Sequence, residues 1–335
     1  MTLGRGAGAI LVALWIVAGI FAPFLSPNPP TMQFELPYAP PMRPHVIDAD
    51  GGLHAPFVYP VRIGNLLERR YEIDRSRRVP LSWLRDGRLA TTTDPAAPLL
   101  ILGADAIGRD VFARLLHGAR ASLGVALVAC LLSLVAGTLI GAAAGYAGGL
   151  VDEAFMGVAD FLIILPTIYV VLALRAVMPL VLEPWQVFWL LTILLGAVGW
   201  PFVARPVRAI VAVESRREYV EAARATGAGP VRIVVRHLAP AAASAIATQV
   251  TLLLPAFVLA EATLSFVGLG FVDPTPSWGS MLMDAGRNVR ALADFPWLLA
   301  PAGALIIFVL GLHVAAAEAG QIRSTLGRGR YHVTD

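Results

Sequence analysis

The chain contains no lysine: all 26 of its basic residues are arginines. A P-loop of the form G-x-x-x-x-G-K-[ST] needs its lysine on the nucleotide phosphates, so no such ATP site exists on this chain. Schiff-base chemistry on a lysine is excluded on the same ground. Cysteine is almost as scarce. A single Cys130, set in an apolar run, rules out an intrachain disulfide. Charge is scarce as well, at 15% of 335 residues with a net charge of only +3. Soluble proteins carry about a quarter, so this is the composition of a membrane domain. The uneven placement of the few charges fits sorting to the two sides of a bilayer, not nucleic-acid binding. Neither H-E-x-x-H nor G-x-S-x-G occurs, and His45, His54, His117, His237, His313 and His332 are scattered singly.

What is present is apolar sequence, 57% of the chain, gathered in long runs. Ala7 to Leu25 is uncharged over 19 residues, close to the roughly 20 that a helix needs to cross the hydrocarbon core. It is long for a signal-peptide core and no clean A-x-A site follows, so a retained first helix with its N-terminus inside is expected. Further spans are expected at about Ser122–Tyr146, Ala154–Met178, Trp185–Ala204, Ala241–Glu261 and Pro296–Ala317. Gly137, Gly141 and Gly145 recur every four residues in the second span, a face made for close helix packing. Asp160 lies about 10 Å above Glu153 in the third, where it needs a polar partner or a wet cavity. Glu261, about 30 Å from the inner surface, falls at the outer mouth.

Two stretches depart from this pattern. Residues 27–100 are rich in proline and charge and cannot span a membrane. The Asp50-Gly51 and Asp86-Gly87 pairs sit between short apolar runs, which fits either hairpins or loops without sheet. The charge run from Glu68 to Arg78 reads as a solvated helix face, with a binding patch as the alternative. The other departure is the basic link between the fourth and fifth spans. Arg205, Arg208, Arg216, Arg217, Arg224, Arg232 and Arg236 face only Glu214, Glu218 and Glu221, and short arginine-rich loops stay in the cytoplasm. Glu214 to Thr226 reads as helix, Gly227-Ala-Gly-Pro as a stop, and Val231 to His237 as a second helix after Pro230.

Glu221-Ala222-Ala223, then Gly227, then Pro240, resembles the EAA loop of importer-type ABC transporter permeases. The family's closing I-x-L-P is here His237-Leu238-Ala239-Pro240, a departure at two apolar positions. Two further segments resemble the dipeptide/oligopeptide branch of the same permeases. One is the run L-G-x-D-x-x-G-R-D-V ending at Arg120, with Asp105, Arg109 and Asp110, where Asp110 to Arg120 reads as an amphipathic helix on the outer membrane surface. The other runs from Glu261 through Ser265 to Trp278, as a non-helical outer loop.

The resemblance implies a C-type permease subunit in the bacterial inner membrane, an all-α polytopic fold of six transmembrane helices. It divides the chain into a first helix (1–26), a periplasmic insert of mainly irregular or short-β structure (27–100), a permease core (101–322) with the coupling loop at 214–240, and a cytoplasmic tail (323–335). It also implies partners: a homologous permease chain, two ATPase subunits or domains carrying the ATP and magnesium, and a periplasmic substrate-binding protein. This chain itself would hold no cofactor, metal or catalytic group. Glu218, Tyr219, Glu221, Ala222, Ala223, Gly227 and Pro240 would seat the ATPase, and Asp105, Arg109, Asp110, Glu261, Ser265 and Trp278 would stand at the outer mouth or pathway. The rival classes are a secondary transporter, which needs ionisable groups at the midplane, and an intramembrane enzyme. The insert is either a folded cap over the mouth or a flexible linker.

Overall fold

A computed structural model describes residues 6–48, 51–65, 70–94, 96–166, 169–170, 172–173 and 182–330. Its elements in chain order are α1 (Ala7–Ile20), α2 (Ala22–Leu25), six strands, then α3 (Val111–Ala147), α4 (Gly149–Ile164), α5 (Pro184–Glu214), α6 (Glu218–Ala225), α7 (Pro230–Ile233), α8 (Ala239–Phe266), α9 (Trp278–Gly286), α10 (Val289–Asp294) and α11 (Ala300–Arg330). The strands are β1 (His45–Ile47), β2 (Leu53–Val58), β3 (Val61–Asn65), β4 (Arg70–Ile73), β5 (Val79–Arg85) and β6 (Arg88–Thr92). Among the described residues four helical stretches are long and apolar enough to cross a membrane: Val111–Ala147, Pro184–Glu214, Pro230–Phe266 and Pro296–Glu318. Ala7–Ile20 is a shorter apolar helix. The outer part of the expected third span, with Arg175, lies outside the described residues, as do Asp50, Glu68 and Arg69.

The chain forms two compact units, Met1–Leu123 with Ala262–Asp335, and Gly124–Glu261. In the first, α1 lies against α11 at glycines. A Cβ on Gly8 would come within 3.0 Å of the backbone of Gly311 and Ala315. The N–H of Gly6 donates to Glu318 Oε2 at 3.2 Å, and Trp15 meets the Trp278 ring edge-on at 5.2 Å.

Residues 27–100 are more regular than the sequence implied. An antiparallel sheet has the order β1-β2-β5-β6, beside a separate β3–β4 hairpin. Asp86-Gly87 does turn a hairpin: φ is 53° at Asp86 and 71° at Gly87, the pair of positive angles that a type I′ turn needs. The described part of the charge run, Arg70 to Arg78, is strand and turn, not helix. Tyr71 and Ile73 alternate with Arg70 and Glu72, and this period of two pairs Tyr71 with Ile63 and Ile73 with Val61. Small apolar clusters hold the segment: Val58, Val79, Ala97 and Leu99 in one, Ala39, Met42, Val61, Leu100 and Ala104 in the other. Polar ties complete it. Arg88 donates to the Ser26 carbonyl at 2.8 Å, Asn28 to the Leu99 carbonyl at 2.8 Å, and the Tyr38 N–H to the Asp105 carbonyl at 2.8 Å.

Four helices overrun the expected spans. α8 runs through Glu261 and Ser265 to Phe266, so the start of the expected non-helical loop is helix. α11 runs past Ala317 to Arg330, and α3 and α5 overrun furthest into charged sequence. Val111 to Ala147 is one helix of 37 residues, about 55 Å long, against a hydrocarbon core of about 30 Å. The Asp110–Arg120 stretch is therefore its first turns and not a separate surface helix. The fourth span likewise continues past Ala204 through Pro206 to Glu214. Arginine is a good helix former, so the basic stretch extends the helix where hydropathy alone ends the span.

Within the second unit the expected glycine face is real. A Cβ on Gly137, Gly141 or Gly145 would lie within 3.0 Å of α5 backbone or side-chain atoms at Trp200 and Val203, Ala204, and Arg208 respectively. Gly141→Leu is therefore expected to force α3 and α5 apart and destabilise the chain by about 1–3 kcal/mol or more. Thermal melting of the detergent-purified protein checks this; an unchanged melting temperature would contradict the packing.

Candidate functional site

The basic link between α5 and α8 folds as two short helices around a glycine. α5 ends at Glu214, where the Ser215 hydroxyl donates back to the Ala212 carbonyl at 3.1 Å. Arg217 is extended, with φ −76° and ψ 147°, and α6 restarts at Glu218. The single helix expected from Glu214 to Thr226 is thus interrupted, because a serine bonding its own preceding turn competes with helix continuation. α6 closes with the Gly227 N–H on the Arg224 carbonyl at 2.9 Å and the Ala228 N–H on the Ala223 carbonyl at 3.0 Å. This is a Schellman cap, and Gly227 supplies its left-handed residue at φ +85°. Pro230 then opens α7 at its first position, and a π-helical stretch, Val234–Leu238, carries the chain into α8.

The link has an inner and an outer side. Val220, Ile233 and Leu238 are fully buried. Glu218, Tyr219, Glu221, Ala222, Gly227 and Pro240 are exposed, and Ala223 is half-buried. Arg224 stacks over the Tyr146 ring at 5.2 Å, pinning α6 to the end of α3 by a cation–π contact. The Tyr219 hydroxyl donates to Glu214 Oε2 at 2.9 Å; burial and that carboxylate hold its pKa above the usual value. The coupling candidates thus form a solvent-facing knuckle on a buried apolar base. Arg224 was absent from the expected set. Its position directly after Glu221-Ala222-Ala223 gives no hint that it grips Tyr146.

The other candidates are buried. In the first unit Arg109 Nε donates to Asp105 Oδ2 at 2.7 Å, its Nη1 to Asp273, and its Nη2 to Asp284 at 3.2 Å. Arg114, 1% exposed, adds an Nη2 bond to Asp284 at 3.5 Å. Burial pushes the Asp284 carboxyl up, against the pull of the two arginines. Buried charges persist only when paired in this way. A cavity of about 180 Å³ opens beside the network, lined among others by Asp105, Arg109, Arg114, Asp273, Asp284 and Met281. Arg114, Asp273 and Asp284 were missed by the sequence reading. Their charge, rare in so apolar a chain, was the available signal.

Asp110 turns away from this cluster and caps α3. Its Oδ1 accepts from the N–H groups of Phe112 at 2.9 Å and Ala113 at 3.2 Å, and its Oδ2 accepts from Asn28 at 2.8 Å. The fully buried Trp278 donates from Nε1 to the Leu115 carbonyl at 3.1 Å and from its backbone N–H to Ser122 Oγ at 3.1 Å. Ser265 Oγ accepts from the Phe271 N–H at 3.0 Å, shaping the loop after α8. Glu261 is buried in the second unit. Of the six expected mouth residues, only Asp105 and Arg109 meet across one cluster. Among the described residues no group of three or more His, Cys, Asp or Glu side chains is placed to hold a metal ion.

Residues 137–318, more than half of the chain, match the family described as binding-protein-dependent transport system inner membrane component. The chain is 36% identical over 213 residues to the oligopeptide transport system permease protein OppC of Bacillus subtilis, covering 63% of this chain and 67% of that one. It is 31% identical over 210 residues to the protein of the same name from Lactococcus lactis, covering 63% and 69%. The dipeptide transport system permease protein DppC of Bacillus subtilis is 40% identical over 182 residues, covering 54% and 55%.

Burial raises the Asp110 carboxyl from 3.8 to about 6, outweighing the bonds from Asn28, Ala113 and Phe112. The folded state therefore holds this proton more tightly than the unfolded chain does. The stability it gives is full below about pH 4 and is lost as pH rises through about 6. Asp110→Asn, an equally good helix cap, is expected to flatten the fall in melting temperature across that window. Parallel profiles for the two proteins would contradict it.

Proposed function

Because the chain belongs to the family of inner-membrane components of binding-protein-dependent transport systems, we propose that it is the C-type permease half of an ATP-driven importer for peptides or peptide-like solutes. The family makes it a transport component and not an enzyme, and the peptide class rests on relatives named as oligopeptide and dipeptide permeases. In this reading six helices span the inner membrane, both termini lie in the cytoplasm, and residues 27–100 lie outside. Four long apolar stretches support that count. α1 and α4 would supply the other two.

The observation that carries the mechanism is the exposed knuckle from Glu218 to Pro240, a glycine-capped helix set on a buried base between two apolar stretches. The chain has no lysine for a P-loop, so ATP and magnesium are assigned to two separate ATPase subunits or domains. Closure of the ATPase pair would push on Glu218, Tyr219, Glu221, Ala222 and Ala223. α6 would pass that push to α3 through the Arg224–Tyr146 stack and to α8 through α7. A second, homologous permease chain would complete the pathway, and a periplasmic binding protein would deliver the solute. The Arg109 network and the Asp110 cap would fix the outer ends of the helices. The packed sheet of residues 27–100 favours a folded cap at the mouth over a flexible linker.

Gly227→Val places a β-branched residue at φ +85°, a conformation that only glycine adopts freely. Glu221→Arg reverses an exposed charge at the proposed docking face. Both variants are expected to insert normally, lose the co-purifying ATPase and lose transport. Wild-type ATPase retention and transport in both would contradict the assignment.

A further inference from the structure

Two ion pairs join α4 to α5 in the second unit. Arg208 Nε donates to Asp152 Oδ1 at 2.8 Å, and Arg205 Nη2 donates to Asp160. Arg205 is thus the polar partner that Asp160 was expected to need. It does not hide the charge: the Asp160 side chain is 59% exposed and that of Arg205 47% exposed. Their surroundings are apolar. Asp160 is the one charged residue between Ala154 and Pro166, and Val158, Phe161 and Ile164 are exposed beside it. α5 carries no charged residue from Pro184 to Ala204.

Eight residues separate Asp152 from Asp160, a rise of about 12 Å along α4. With Asp152 and Arg208 at the basic end of the bundle, Asp160 stands well inside a hydrocarbon core about 30 Å thick. A carboxylate offers about four acceptor sites and a guanidinium five donors. The bond between Asp160 and Arg205 uses one of each. Lipid meets none of the rest, whereas water meets all of them. We infer that the face of the second unit around Asp160 and Arg205 borders water, and that this pair lines the aqueous transport path. It rests on the permease reading above, and it names two residues that charged ends of a passing solute would meet.

Gly157 lies one turn before Asp160 on the same face, with open space where a side chain would sit. Leu139 is 66% exposed on α3 among apolar residues and serves as the comparison. In a Cys130→Ala background, Gly157→Cys and Leu139→Cys would be treated with a charged, membrane-impermeant maleimide in membranes holding the intact transporter. Only an ionised thiol reacts, so position 157 is expected to label about tenfold or more faster than position 139. Labelling at 157 as slow as at 139 would place that face in lipid and overturn the inference. Ready oxidative cross-linking of position 157 to a cysteine on the second permease chain would show a covered face and overturn it too. Co-purification of the ATPase from the same membranes tests the permease reading separately, since its loss leaves the labelling rates interpretable.

Discussion

A hydrocarbon core offers no hydrogen-bond partner, so each charge in a membrane domain must stand at an end or be met by an opposite one. The charged side chains of this protein follow that constraint. Arg109 and Arg114 are buried against Asp105, Asp273 and Asp284 beside the start of α3. Asp110 is buried only because it caps that helix and accepts from Asn28. Asp152 and Asp160 each meet an arginine of α5. In the link from Ser215 to Pro240, as among the described residues of 27–100, several charges stand exposed outside the long apolar helices.

The same constraint divides the helices into those that fit the membrane and those that overrun it. α3 and α5 are longer than the core is thick, and their extra turns carry Arg114, Arg120 and Arg208. Such overhangs extend rigid secondary structure beyond the membrane. The Arg224–Tyr146 stack joins the knuckle to the last turn of α3, a long packed helix. The glycine face of α3 brings that helix into direct backbone contact with α5.

Much of this was legible in the sequence. Apolar run lengths located the long helices, and the spacing of Gly137, Gly141 and Gly145 named the packing face. Gly227 and Pro230 marked the break in the knuckle. Hydropathy could not find where a helix stops once it leaves the apolar run, so α5 was cut short at Ala204. The Glu68–Arg78 run was read by its charge, while the alternation of Tyr71 and Ile73 decided for a strand. Beyond Asp105, the partners of Arg109 are Asp273 and Asp284, 164 and 175 residues away in sequence, a pairing that no local pattern encodes. The exposed helix positions of the knuckle were visible as types, but the grip of Arg224 on Tyr146 required the fold.

The central claim is that the knuckle is a seat for a separate ATP-hydrolysing chain on the cytoplasmic side. A photo-crosslinking amino acid in place of Ala222, an exposed small residue whose loss leaves the cap and base intact, tests it in living cells. The account predicts an adduct with an ATPase subunit that itself carries a P-loop lysine, formed more strongly when ATP hydrolysis is blocked. An adduct with a periplasmic protein, or none while the transporter remains active, would contradict it.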